Sequence, residues 1–230
     1  MNDINALKNL IKRKRVLYII PCCAKKKKDG VFMIAPEGQI PAGIAPNLRE
    51  RLYETRLTIA QNQGVNLNGS EFTPDAPQAA SYLHAYDRYN GHLYKVPGVN
   101  ALLQQNQPLI TIMSALYGLL SPHDYIQNYD LEMTKVEHSW IKLLPEIIDD
   151  FAARNKIDII VGLFGRTTAY TCVFQALSAR PIGNCPAFSV HTKGGGTVRI
   201  LRGLGHALLY LANDVPIPDS FQYTINQVRP

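Results

Sequence analysis

The chain has 230 residues, of which 46% are hydrophobic and 18% charged, a composition typical of a soluble globular protein. This length can bury a sizeable core without disulfide bonds, and the sequence contains no apolar run long enough to cross a bilayer. The formal net charge is +6, and the basic excess is concentrated in residues 12–28 and 193–202. Such a charge is compatible with a simple solvated face and equally with a polyanionic partner such as DNA or RNA.

The cysteines and the N-terminal segment bear on the compartment. None of the four cysteines (Cys22, Cys23, Cys172 and Cys185) pairs at zinc-finger spacing, and the adjacent Cys22 and Cys23 are poor disulfide partners. The apolar run at residues 16–20 is too short for the core of a signal peptide and is followed by four lysines. We therefore expect a reduced, cytoplasmic protein without a metal or cofactor.

Strand and helix patterns alternate along the chain. Helical spacing predicts helices at residues 3–13, 48–63 (capped by Asn47), 79–89, 135–155, 169–177 and 198–212. Short apolar runs predict strands at residues 16–20, 108–113, 156–161 and 186–190. Residues 31–47 and an insertion at about 64–107 are predicted to be irregular, and a Pro-rich tail from Asp214 is expected to lie over the surface.

This alternation predicts one α/β domain over residues 1–230, with three layers and a mostly parallel central sheet. The buried strand at residues 108–113 delivers Ser114 and Tyr117 to one end of that sheet. A polar and aromatic loop, which we do not expect in the core, then carries further side chains past that end: Asp124, Tyr125, Tyr129, Asp130 and Glu132. Ligands of open α/β sheets bind outside the carboxyl ends of the strands, so we place the functional site there.

The segment at residues 114–133, SALYGLLSPHDYIQNYDLEM, resembles the signature of the YaaA family of peroxide-stress proteins. It is also similar to small bacterial domains in which a Cys-x-x-Lys opening precedes a Leu-Tyr-x-Ser/Thr helix, a Ser-Ala-x-Tyr-Gly-Leu segment and Tyr-Asp. Here the opening corresponds to Cys22 and Cys23 with Lys25 and Lys26, and the helix to residues 52–55. Two departures are Asn128, where the family has proline, and the longer segment at residues 64–107.

The resemblance implies DNA binding and a fold like that of uracil-DNA glycosylases, and a bacterial antiphage glycosylase acting on glucosylated hydroxymethylcytosine is a further similar protein. In the glycosylase superfamily, the first strand leads to the water-activating residue and the last to a histidine loop, positions held here by Cys22–Cys23 and His191. The leading hypothesis is therefore a DNA glycosylase that removes a modified base flipped out of the duplex. The alternatives are a non-enzymatic DNA-binding protein of the YaaA stress type and a nucleotide-processing enzyme resembling a transglycosylase.

Glycosidic bond cleavage needs a carboxylate beside the sugar, to activate water or to stabilise developing positive charge. Asp130 is the first candidate, followed by Asp124 and Glu132, although Asp130 is equally suited to stabilising a turn. Tyr117 and Tyr129 suit stacking on a base, or simply form a wall at the end of the sheet. The full predicted substrate-binding set is Cys22, Cys23, Ser114, Tyr117, Tyr125, Tyr129 and His191.

Four basic residues are predicted to hold DNA phosphates: Lys25, Lys26, Arg166 and Lys193. The two lysines lie in a run after the first strand, and Arg166 precedes a predicted helix N-terminus, where an anion is favoured. Lys193 opens a triple-glycine segment that allows close approach of backbone to a ligand. Solvated lysines and a flexible turn explain the same patterns, and the sequence does not predict the oligomeric state.

Overall fold

The computed structural model describes residues 3–65, 69, 71–72, 78–180 and 185–230. The strands are β1 (Val16–Pro21), β2 (Val31–Met33), β3 (Ala80–His84), β4 (Leu109–Ser114), β5 (Gly118–Leu120), β6 (Tyr125–Ile126), β7 (Ile159–Leu163), β8 (Ala187–Thr192) and β9 (Tyr223–Arg229). The helices are α1 (Ile4–Ile11), α2 (Gln39–Ala42), α3 (Pro46–Asn62), α4 (Ala85–Arg88), α5 (Val99–Leu103), α6 (Glu137–Arg154), α7 (Ala169–Gln175) and α8 (Thr197–Asn213). Two 3₁₀ turns, Met133–Lys135 and Ala176–Ala179, adjoin α6 and α7.

A six-stranded sheet in the order β5-β4-β1-β7-β8-β9 forms the centre of the molecule. Strands β4, β1, β7 and β8 are parallel, while β5 and β9 pair antiparallel at the two edges. Every residue of β1 is buried, as expected for a strand covered on both faces. The predicted α/β class with a mostly parallel sheet is thus confirmed.

Helices cover both faces of the sheet. Helix α6 packs against α3, α7 and β5, whereas α8 packs against α5 and strands β7 and β8. Helix α6 buries an apolar stripe against the sheet side of the molecule: Trp140, Leu143, Leu144, Ile147, Ile148 and Phe151. Trp140 also donates its indole N–H to the carbonyl of Ala115 at 2.7 Å, which fixes the helix to the turn after β4.

The connections define a switch point in the sheet. The chain leaves β1 for β4 on one side, then crosses to β7 on the other side of β1 and continues outward to β8. Loops that follow β1 and β7 therefore diverge and leave a crevice between them at the carboxyl edge.

Several boundaries differ from the predictions. Helix α3 begins at Pro46 with Ala45 as its cap, because proline is well suited to the first helical turn. Strand β7 begins later than predicted, since Lys156 has a φ of +52° and belongs to the turn that ends α6. Gly64 follows α3 with a φ of +62°, the left-handed conformation in which glycine commonly ends a helix.

Three predictions of irregular or helical structure were wrong. The helix predicted at residues 79–89 is strand β3 followed by the single turn α4. Residues 31–47 contain β2 and α2, and β2, β3 and β6 form a second, three-stranded sheet. The tail beyond Asp214 ends in β9, where Tyr223 and Ile225 alternate into the core and complete the main sheet. Residues 66–68, 70 and 73–77 of the predicted insertion lie outside the described residues.

Within the part of the chain that the structure describes, no helix combines the length and apolarity needed to traverse a bilayer.

Candidate functional site at the switch point

A cavity of about 540 Å³ opens at the carboxyl ends of β1 and β7, and we call it the switch-point pocket. Its walls come from four segments, which follow β1, β6, β7 and β8 in the chain. The lining residues are Pro21, Cys22, Cys23, Ala24, Leu131, Glu132, Met133, Thr134, Gly165, Arg166, Thr167, Thr168, Ala169, Tyr170, Thr192, Thr197, Ile200 and Leu201. Its position agrees with the prediction that the site lies beyond the carboxyl ends of the strands.

A chain of buried hydroxyl groups leads from this pocket into the protein, and we call it the hydroxyl chain. The Sγ atom of Cys22, in the pocket wall, lies 3.0 Å from the hydroxyl of Tyr170 and 3.7 Å from that of Tyr129. The Tyr129 hydroxyl is 2.8 Å from both Ser114 Oγ and the hydroxyl of Tyr89. The structure therefore brings together Cys22, Ser114 and Tyr129, which the sequence analysis selected from distant segments.

The three tyrosines of the hydroxyl chain are held in their neutral forms. Burial raises the pKa of Tyr89, Tyr129 and Tyr170 well above the ordinary value, and the nearby Cys22 acts in the same direction. Each phenol therefore remains both a donor and an acceptor, which a continuous hydrogen-bonded chain requires.

Lys26 lies over the aromatic part of this chain. Its Nζ is 4.0 Å from the ring centroid of Tyr129 and 5.8 Å from that of Tyr89, so the ammonium contacts both π faces. It also donates to the carbonyl of Ala24, a pocket-lining residue, at 3.4 Å. Burial lowers the pKa of Lys26, and the charges of the neighbouring thiols and Asp130 only partly oppose this effect.

Cys23 is tied down beside Cys22. Its Sγ donates to the carbonyl of Lys25 at 2.9 Å. Burial, followed by the influence of Cys22, raises the pKa of Cys23 to about 12, so its thiolate fraction at neutral pH is very small. As a neutral thiol, Cys23 lines the pocket and does not act as an activated nucleophile.

The three predicted carboxylates occupy different environments. Asp124 is buried and accepts the backbone N–H groups of Gln39 at 2.6 Å and Ser121 at 2.9 Å, which caps α2 and closes the turn after β5. Burial raises the pKa of Asp124, with those backbone bonds opposing the shift. Glu132 is exposed and lines the switch-point pocket, while Asp130 is exposed beside it in the chain and acts electrostatically on Lys26.

Tyr117 and Tyr125 lie away from the pocket. The Tyr117 side chain is fully buried, donates to a carboxylate oxygen of Glu71 at 3.2 Å and accepts the N–H of Gln127 at 3.1 Å. It offers no free face for a base in this structure. Tyr125 packs against the ring of His84, with centroids 4.0 Å apart, on the second sheet.

His191 is a structural histidine in this conformation. Its Nδ1 lies 2.9 Å from the carbonyl of Phe164 and its Nε2 lies 3.0 Å from Ser189 Oγ. The residue is 2% exposed, and burial lowers its pKa. Both ring nitrogens are therefore engaged inside the sheet, and the predicted contact with DNA would require His191 to leave this position.

The predicted basic residues divide between two places. Arg166 is exposed and lines the switch-point pocket, and exposed Lys25 directly follows pocket-lining Ala24. Lys193 instead lines a separate cavity beside α1, together with Asp3 and Tyr210. The basic side chains at the pocket are thus supplied by the loops after β1 and β7.

Two further residues, which no sequence pattern indicated, position this site. Half-buried Tyr170 connects Cys22 to α7, and buried Arg88 anchors the loop after β1. The Arg88 guanidinium donates to the carbonyls of Lys27 and Asp29 at 2.6 Å each, and to those of Ser81 and Ile126 at 3.3 Å. A buried arginine has no periodic signature, so nothing in the sequence pattern distinguished Arg88 from a surface cation.

No cluster of three or more His, Cys, Asp or Glu side chains that could hold a metal ion occurs among the described residues.

Comparison with known proteins identifies relatives that match part of the chain. A "UPF0246 protein" of Shewanella piezotolerans is 33% identical over 103 residues, which cover 41% of this chain and 40% of the relative. A second, from Psychrobacter cryohalolentis, is 29% identical over 56% of this chain and 52% of its own length. A third, from Paracidovorax citrulli, is 24% identical over 66% of this chain and 73% of its own length. The chain thus spans only about half or less of the first two relatives.

The family assignment comes from a family model described as "Peroxide stress protein YaaA", which matches residues 48–163, half of the chain. The matched segment includes Ser114 and Tyr129 of the hydroxyl chain and the pocket wall around Glu132. The resemblance inferred from residues 114–133 is therefore confirmed, and the chain belongs to the peroxide stress protein YaaA family.

Proposed function

We propose that the protein binds DNA and that the switch-point pocket receives a nucleotide extruded from the strand. This proposal rests on one observation: a largely apolar cavity has basic side chains at its mouth. These side chains are Lys25, Lys26 and Arg166. The description of the family refers to peroxide stress, and DNA is one of the molecules that peroxide damages. In this proposal the protein binds DNA and need not catalyse a reaction on it.

The size and chemistry of the pocket suit a nucleoside. A volume of about 540 Å³ falls within the range of small-molecule sites, which combine apolar walls with a few polar groups. The hydroxyls of Thr134, Thr167 and Thr168 supply such polar groups, and base flipping places the target nucleotide in a pocket of this kind. Arg166 at the mouth is suited to a flanking phosphate.

Strand β2 and the residue that follows it, which come after the lysine run in the chain, carry exposed apolar side chains. Phe32 is 76% exposed, and Val31 and Ile34 are 62% and 56% exposed, the highest values among the large hydrophobic side chains described. An aromatic side chain beside several cations can stack on unpaired bases, while the cations bind the backbone. The apolar strand therefore supports a nucleic-acid partner more than a small neutral ligand.

Fluorescence anisotropy with labelled duplex and single-stranded DNA tests this proposal. We expect affinity to fall steeply with salt concentration, because binding releases counterions from the phosphates. Arg166→Gln should weaken binding and reduce the salt slope, whereas Lys142→Gln, an exposed change on α6 outside the pocket wall, should do neither. An affinity that is independent of salt, or equal in the two variants, would contradict the proposal.

A second candidate function is hydrolysis of the N-glycosidic bond of a modified base, such as glucosylated hydroxymethylcytosine. It is favoured by Glu132, the carboxylate in the described wall of the pocket, which is placed to assist water attack beside a bound sugar. Mass spectrometry of bases released from modified phage and bacterial DNA tests this function. Release that Glu132→Gln abolishes and Asp124→Asn leaves in place would support it, and no release from any DNA would exclude it for those substrates.

A further inference from the structure

We propose that Lys26 is a reactive amine that forms a Schiff base with an aldehyde of DNA, of the kind exposed at C1′ of an abasic deoxyribose. This inference rests on the proposed DNA binding and adds a covalent step to it. It concerns one lysine in a run of four, and in the structure the environment of that lysine differs from those of the other three.

The surroundings of Lys26 differ from those of the other three lysines. Lys25, Lys27 and Lys28 are exposed, and Lys27 forms an ion pair with Asp87 at 3.5 Å. Lys26 is half-buried over the rings of Tyr129 and Tyr89, and no carboxylate of the described residues lies within ion-pairing distance of its Nζ. A lysine that is partly desolvated and has no ion-pair partner reaches its neutral, nucleophilic form more readily than a solvated one.

The position of the amine relates it to the switch-point pocket. Its Nζ lies 3.4 Å from the carbonyl of Ala24 in the pocket wall, and the Tyr129 ring beneath it belongs to the hydroxyl chain that ends at Cys22. The backbone at Lys26 is fixed by a bridge to Tyr89, and the next residues are held by Arg88. The amine is therefore presented on a rigid segment at the edge of the pocket.

The chemistry needs only the amine and the aldehyde. The nitrogen lone pair of neutral Lys26 attacks the carbonyl carbon, the C=O π bond breaks, and a proton passes from nitrogen to oxygen to give a carbinolamine. Loss of the hydroxyl group with a proton as water then forms the C=N bond. Burial lowers the pKa of Lys26, which increases the neutral fraction of its amine at a given pH.

Borohydride trapping on a duplex with one abasic site tests the inference. Sodium borohydride reduces the imine to a stable amine, and peptide mass spectrometry then locates the cross-link. We expect trapping at Lys26, loss of the covalent complex in Lys26→Arg at DNA concentrations that saturate noncovalent binding, and normal trapping in the exposed variants Lys28→Arg and Lys142→Arg. Trapping should also begin at lower pH than it does at an exposed lysine.

Two further measurements keep the outcomes distinct. Noncovalent binding without a cross-link, or a cross-link equally strong in Lys26→Arg, overturns the Schiff-base inference and leaves DNA binding in place. Trapping of 2-deoxyribose 5-phosphate at Lys26, in a protein that binds no DNA, supports the amine and overturns the proposed function. Absence of both binding and trapping overturns both. Thermal unfolding of each variant shows whether a loss of trapping reflects a loss of fold.

Discussion

Tyr129 shows how one side chain holds two parts of the site together. Its hydroxyl is within hydrogen-bonding distance of Ser114 at the end of β4 and of Tyr89 after α4, and its ring lies under Lys26. Replacing Tyr129 by phenylalanine keeps the ring and leaves two buried hydroxyls without this partner. We expect Tyr129→Phe to lower the free energy of unfolding by about 1–3 kcal/mol, measured by urea denaturation.

Tyr210 provides the matched control for this substitution. Its hydroxyl donates to the side chain of Asn5 at 2.7 Å in an exposed position, where water replaces a lost partner. Tyr210→Phe should therefore change the free energy of unfolding by no more than about 0.5 kcal/mol. Equal costs for the two variants would show that the hydroxyl chain is not tightly coupled.

His191 predicts a dependence of stability on pH. Since its folded-state pKa lies below the unfolded value of about 6.5, the unfolded chain binds the proton first as pH falls. The stabilisation is fully present above the unfolded pKa and is lost as pH falls towards the folded pKa. Urea denaturation between pH 7.5 and pH 5 (~2.5 units spanning this pKa) should show the loss in wild type and a shallower dependence in His191→Gln. A parallel dependence in both proteins would place the titration elsewhere, for example at His206, whose pKa burial also lowers.

For individual residues, the sequence predicted well which side chains lie close together. It predicted their solvent exposure less well. Cys22, Ser114 and Tyr129 were selected from motifs and do converge, because each follows a strand or loop at the carboxyl edge. Tyr117 was expected at the open end of the sheet and Asp124 in an exposed loop, yet both are buried. Their polar groups satisfy backbone N–H groups of Gln127, Gln39 and Ser121, a role that residue type alone does not indicate.

The loop between β1 and β2 is held by Arg88, and this gives a prediction for an element. Arg88→Met leaves the carbonyls of Lys27 and Asp29 without their donor, so the loop should open locally. We expect faster amide hydrogen exchange in residues 27–33 and weaker DNA binding. Arg154→Met, which removes only an exposed ion pair with Asp150, should change neither measurement. Unchanged exchange in Arg88→Met would show that β2 and β3 hold the loop without it.

The elements themselves were predictable where local signals were strong. Buried β-branched strands and the apolar stripe of α6 have clear periodicity, and they appear close to the predicted positions. Strands β2, β3 and β9 were missed because their stability comes from pairing partners distant in sequence, as in the antiparallel register of β9 with β8. Residues 79–89 have a short helical pattern, but their first half forms β3 because it pairs with β2 and β6.

The whole molecule depends on β9 closing the sheet, and Asp149 holds that strand to α6. Its carboxylate lies 2.7 Å from buried Arg229 of β9 and 3.1 Å from Arg180. Asp149→Asn removes the charge that balances the buried guanidinium, which should lower the free energy of unfolding by about 2–4 kcal/mol. Arg49→Gln removes an exposed pair with Glu37 at 3.5 Å and should cost less than about 0.5 kcal/mol in the same urea experiment. Similar costs would show that β9 is held by its backbone pairing alone.

The architecture was predictable at the level of class because alternating strands and helices favour parallel pairing. The sequence did not give the strand order, and so the switch point between β1 and β7 emerged only from the structure. That point determines which loops become walls of the same pocket, including the segment at Gly165–Tyr170 that brings Tyr170 to Cys22.

The origin of those walls bears on how ligand preference can diverge among relatives. The segment shared with the family, residues 48–163, supplies Ser114, Tyr129 and the wall around Glu132, whereas the walls after β1, β7 and β8 lie outside it. Mutations can therefore change the three walls outside the matched segment while the wall around Glu132 is retained. Ligand preference can then differ among family members through the loops after β1, β7 and β8.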